Sequence, residues 1–77
     1  MMNQAVIGLN AGIVWRTMDS VRTRQCWSFT ELKKNTGLSD IDLYAAIGWL
    51  AREGKLEFVT NTQTAEDEFC LSLHYYF

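Results

Sequence analysis

Few side chains in this 77-residue chain are of the kinds that make or break bonds. The one histidine is His74, on the polar side of an alternating run near the end of the sequence. A general base needs an orienting partner and a pocket. An unpaired strand histidine has neither, so His74 reads as solvated surface. The two cysteines, Cys26 and Cys70, stand 44 positions apart. Neither has a sequence neighbour that would lower its thiol pKa. A disulfide is geometrically open to them if two strands bring them together. The expectation is instead two free, partly buried thiols in a reducing cytosol. With no CxxC pair and no cluster of Cys and His, no structural zinc is expected. The carboxylates fall mostly at helix starts or on a hairpin, where solvation accounts for them. No catalytic, cofactor or metal chemistry is therefore expected.

Glycines are the usual sign of phosphate cradles, and here each has a local role. Gly8 and Gly12 share one face of a helix and would permit close helix packing. Gly37 and Gly54 end helices. Gly48 lies inside a helix, where it costs about 1 kcal/mol relative to Ala. That cost predicts a close approach at Gly48, by the hairpin, by the first helix or by an external partner.

The elements that carry these residues follow from periodicity. Ile7, Ala11, Val14, Met18 and Val21 recur in steps of four and three, which sets one apolar face on a helix over 4–22. Asn3 is its N-cap. A short strand is expected over 25–27. Ser28 then opens a second helix over 29–36, with Glu31 at capping-box spacing and Gly37 at its close. Leu38 is the buried turn residue. Ser39 caps a third helix over 40–53, with Asp40 and Asp42 in its first turn. Leu43, Ala46, Ile47 and Leu50 form its core stripe. A helix, a short turn with Gly and a second helix make the helix-turn-helix pattern.

After Gly54 the period drops to two. Leu56 and Phe58, then Phe69, Leu71, Leu73 and Tyr75, alternate with polar partners about a loop over 60–67. This reads as an antiparallel hairpin with strands over 55–60 and 68–75. A hairpin directly after a helix-turn-helix is a wing. The predicted fold is α+β, a winged helix-turn-helix occupying 1–77 as a single domain. Such a small chain buries only about 60% of its unfolded surface. A 48% hydrophobic composition with three Trp, three Tyr and four Phe supplies the dense core that this demands.

Asn10-Ala-Gly-Ile-Val-Trp15, Glu31-Leu32 with Thr36-Gly37-Leu38, and Ala46-Ile-Gly-Trp-Leu-Ala-Arg-Glu-Gly-Lys-Leu-Glu-Phe58 resemble a family of small stand-alone winged helix-turn-helix proteins. These occur in bacteria and archaea, and their function is uncharacterised. The likeness spans roughly residues 5–73, and Gly-Trp-Leu-Ala-Arg-Glu is its most specific block. The resemblance implies the fold and carries over no catalytic or binding residue.

The longest apolar run, Ala45–Ala51, is too short to span a bilayer. The stretch Ala5–Trp15 has no preceding Lys or Arg and is broken by Asn10, so it reads as a core helix rather than a signal sequence. A cytoplasmic protein with no membrane partner is expected.

In the winged-helix architecture the third helix ordinarily enters the major groove. Base edges are read by Arg, Lys, Asn and Gln. Between Asp40 and Glu53 the only such residue is Arg52, at the far end from the turn that should meet the bases. Residues 1–36 hold five basic and two acidic side chains, net +3; residues 37–77 hold two basic and seven acidic, net −5. The third helix and wing thus form the acidic half, which phosphates would repel. The outer side of the third helix carries Ile41, Ala45, Gly48 and Arg52, with Trp49 at its border, either part of that face or buried against the wing. This mixed apolar and Arg surface suits a protein partner or self-association. The alternative is a DNA-binding regulator using a basic patch of Arg16, Arg22, Arg24, Lys33 and Lys34 on the first two helices, or a partner subunit.

Overall fold

The computed structural model describes residues 3–21, 24, 26–60, 62–63 and 66–72. Helix α1 spans Gln4–Asp19, strand β1 Cys26–Ser28, helix α2 Phe29–Thr36, helix α3 Asp40–Arg52, strand β2 Leu56–Thr60 and strand β3 Asp67–Leu71. The strands form one antiparallel sheet in the order β1-β3-β2. Helix-turn-helix, hairpin wing and a third strand supplied from before α2 make a winged helix.

Each helix starts on a side-chain cap. The Asn3 carboxamide accepts from the Val6 amide at 2.9 Å. The Ser28 hydroxyl accepts from the Glu31 amide at 3.2 Å, while the Ser28 amide donates to Glu31 Oε1 at 3.0 Å, completing a capping box. Ser39 accepts from the Asp42 amide. These contacts satisfy backbone donors that the first turn leaves unpaired.

The ends are set as firmly. Gly37 adopts φ 72° and its amide bonds the Lys33 carbonyl at 3.0 Å. After α3, Gly54 takes φ 74°, with the Gly54 amide on the Ala51 carbonyl and the Lys55 amide on the Leu50 carbonyl. That pair of bonds is a Schellman closure, which turns the chain into β2.

Helix α1 stops before the end of its apolar stripe. The Ser20 amide bonds the Arg16 carbonyl and its hydroxyl bonds the Thr17 carbonyl. A serine that binds its own backbone competes with further helix. Val21 therefore falls outside the helix and is exposed. Ala11, Val14 and Met18 are buried and Ile7 is half-buried.

The core lies between the helices and one sheet face. Val14 and Met18 of α1, Leu32 of α2, and Leu43, Ala46 and Leu50 of α3 meet Trp27, Leu56, Phe69 and Leu71. Leu38 is half-buried against this cluster rather than fully enclosed. Across the strands Trp27, Phe69 and Phe58 stand in one row. Trp27 and Phe69 are buried, whereas Phe58 is exposed. The helical layer covers Leu56 and ends before it reaches Phe58.

The free-thiol expectation is corrected. Cys26 and Cys70 are register partners across β1 and β3, with Cα atoms 4.0 Å apart, and are joined by a disulfide. Strand pairing places two distant positions side by side. The positions of Leu73, His74 and Tyr75 lie outside the described residues.

Candidate interaction face on the third helix and the wing

The Ser39 cap and the Leu43–Ala46–Ile47–Leu50 stripe fix which way α3 faces. With that stripe buried, Ile41 and Tyr44 point outward, 70% and 60% exposed. They lie three apart, on adjoining turns of one face. The Tyr44 ring stacks on Phe29 of α2, centroids 4.2 Å apart at 22°. On the wing, Phe58 is 59% exposed and meets Phe69 edge-on, centroids 5.5 Å apart at 81°. These two aromatic pairs flank a groove of about 410 Å³ lined by Phe29, Tyr44, Ile47, Gly48, Phe58, Glu66, Asp67 and Phe69.

Gly48 lines this groove, and a Cβ built on it would meet nothing within 4 Å. The close approach expected there from the hairpin or the first helix is absent among the described residues. Gly8 is the close-packed position: its Cβ would stand 3.7 Å from Trp49 Cζ2. Trp49 is half-buried, with its ring beside Gly8 of α1.

The five residues singled out on α3 therefore divide. Ile41 is exposed at the N-terminal turn and Ala45 is half-exposed. Gly48 faces the groove beside the wing. Trp49 and Arg52 border a separate hollow with Gln4 and Glu53, on the α1 side. Sequence reasoning missed Tyr44 and misjudged Phe58. The spacing Ile41–Tyr44–Gly48 was the available signal for the first. For the second, alternation gave the correct face but not how far the helices cover it.

Among the described basic residues expected to form a nucleic-acid patch, Arg24 and Lys33 are engaged by carboxylates. Arg24 pairs with Glu31, lies over the Trp27 ring at 4.5 Å, and donates from Nε to the Cys26 carbonyl at 3.2 Å. Lys33 pairs with Asp40 at the start of α3. Arg16 and Lys34 are exposed, and Arg22 lies outside the described residues. The Ser28 amide and the Arg24 guanidinium hold the Glu31 carboxyl below its usual value. Two of the five cations thus spend their charge on neighbouring carboxylates.

Among the described residues no group of three or more His, Cys, Asp or Glu is placed to hold a metal ion. Nor is any helix among them long and apolar enough to cross a membrane. His74 lies outside the described residues.

Strand order, capped helix pair and wing together define a winged helix-turn-helix protein. The chain belongs to the family described as Winged helix-turn-helix domain (DUF2582), which it matches over residues 2–71. It is similar to a protein of Bacteroides thetaiotaomicron whose structure was solved by NMR in solution. The two are 30% identical, with a TM-score of 0.80, covering 99% of this chain and 87% of that one. No curated protein matches the chain.

Proposed function

We propose that this chain is a non-catalytic binding module that engages a protein partner through the outer side of α3 and the adjoining wing. One observation carries the reading. Where a DNA-reading helix would present Arg, Lys, Asn or Gln, Ile41 and Tyr44 stand exposed beside the open Gly48, with Glu66 and Asp67 on the facing wing. Exposed aromatic and apolar groups gathered in a groove favour protein contacts. Carboxylates at the same place disfavour phosphate. The ion pairs of Arg24 and Lys33 also leave less positive charge for a DNA face on α1 and α2.

Fluorescence anisotropy of a labelled mixed-sequence duplex tests this, at low and then physiological salt. The expected outcome is no binding. A Kd of about 10⁻⁴–10⁻⁶ M at physiological salt, tightening as salt falls, would return the chain to the DNA-binding regulators. Lys33→Glu with Lys34→Glu would then ask whether the α2 cations carry it. In the complementary experiment, Ala45→Arg and Gly48→Arg abolish capture of a partner from cell extract while leaving the circular dichroism unchanged.

A cytoplasmic location, expected from the sequence, and the Cys26–Cys70 bridge pull against one another, because a reducing medium opens such a bridge. Alkylation of free thiols in intact cells before lysis tests that location: unmodified cysteines would argue for an oxidising compartment.

A further inference from the structure

We propose that the groove between α3 and the wing receives an arginine side chain carried on an apolar protein segment. The inference rests on the protein-binding reading above and specifies what the partner presents.

The walls of the groove are aromatic. Tyr44 and Phe58 are exposed on its two sides, each backed by a second ring, Phe29 and Phe69. An aromatic face is negative, and a planar guanidinium laid on it gains both electrostatic attraction and stacking. The remaining polar lining is anionic. Glu66 and Asp67 border the groove, and no Lys or Arg is among the described residues that line it. The Thr60 hydroxyl donates to Asp67 Oδ1 at 3.1 Å and so restrains that carboxylate. Carboxylates take a guanidinium through paired, charge-assisted hydrogen bonds. Gly48 leaves room between helix and wing, since no atom lies within 4 Å of where a side chain would begin.

The chain already displays this chemistry within itself. The Arg24 guanidinium lies over Trp27 and pairs with Glu31, so one cation meets a ring and a carboxylate together. The groove offers rings and carboxylates in the same combination to a cation from outside. The net charge of −5 over residues 37–77 would steer a basic segment to this side of the molecule. Ile41, on the same face as Tyr44, gives apolar contact to residues beside the arginine. These features disfavour a phosphate-bearing ligand, which the carboxylates would repel.

The test is an NMR titration of the full chain, labelled with nitrogen-15, against two peptides. One is acetyl-Gly-Leu-Arg-Leu-Gly-amide. The other replaces its arginine by citrulline, which keeps the shape and removes the charge. The arginine peptide is expected to bind in the millimolar range, with amide shifts concentrated on Tyr44, Gly48, Phe58 and Asp67. The citrulline peptide should bind about tenfold more weakly. Glu66→Gln with Asp67→Asn, at exposed positions of the wing, should weaken the arginine peptide alone. Equal affinity of the two peptides, shifts centred elsewhere, or no shifts at millimolar peptide would each overturn the inference. Capture abolished by Gly48→Arg, together with indifference to arginine, would remove this inference and leave the protein-binding reading in place. Capture unaffected by that substitution would count against the reading itself.

Discussion

Cys26 and Cys70 face one another across β1 and β3 and close a covalent ring spanning 44 positions of the sequence. A bridge over that separation chiefly restricts the unfolded chain, and such bridges contribute about 2–4 kcal/mol. Reduction, or Cys26→Ser with Cys70→Ser, is expected to lower the melting temperature by more than about 10 °C, given a domain of this size. Thermal unfolding followed by circular dichroism, with and without reductant, makes the comparison. Coincident curves would mean that strand pairing holds the sheet without the bridge.

The capping box makes stability depend on acid. The Ser28 amide and Arg24 favour the ionised form of Glu31, so its folded pKa lies below the ordinary value of 4.5. A depressed carboxylate contributes stability above its unfolded pKa and loses it as pH falls through the folded one. Urea unfolding of the parent chain and of Glu31→Gln should differ at neutral pH and converge well below pH 4.5. Ser28→Ala should cost about 0.5–2 kcal/mol, by leaving the Glu31 amide without its cap.

Leu43 is fully enclosed at the junction of α3 with the rest of the core. Leu43→Ala removes buried surface and leaves a cavity, at a cost of about 2–5 kcal/mol. In so small a domain that is a large part of the total stability. The urea midpoint should collapse, in contrast to Ile41→Ala on the exposed side of the same helix, which should barely move it.

Glycine substitutions should separate by backbone geometry. Gly37 and Gly54 hold positive φ, so Ala at either destabilises by about 1–2 kcal/mol. Gly48 is helical and open, so Gly48→Ala should stabilise by about 1 kcal/mol. The same methyl enters the groove and should weaken partner capture. A more stable protein that captures less would identify Gly48 as a position kept for binding. Stabilisation with undiminished capture would show that the groove tolerates a side chain there.

Local chemistry was legible in the sequence. Asn3, Ser28 with Glu31, Gly37 and Ser39 act through partners three or four residues away, so spacing alone exposes them. The apolar stripes of α1 and α3 gave the buried faces for the same reason. What was not legible depends on where separate elements come to rest. The Cys26–Cys70 bridge needs the register of β1 on β3. The exposure of Phe58 depends on how far the helices extend over the sheet. The placement of Trp49 beside Gly8 depends on α1 lying against α3, a packing choice that neither helix encodes by itself.

The strand order β1-β3-β2 has a consequence for the growing chain on the ribosome. β1 and β2 touch β3 and not each other. When residues up to Thr60 have emerged, both therefore lack a neighbour, and the helices must hold the nascent core alone. β3, made after the other two described strands, completes the sheet, brings the two thiols together and supplies Asp67 and Phe69 to the groove. A chain truncated before β3 would retain Tyr44 on α3 and Phe58 on β2 but lack Asp67 and the Phe69 ring against which Phe58 packs. The groove would therefore form in a single step, once β3 has been made and paired.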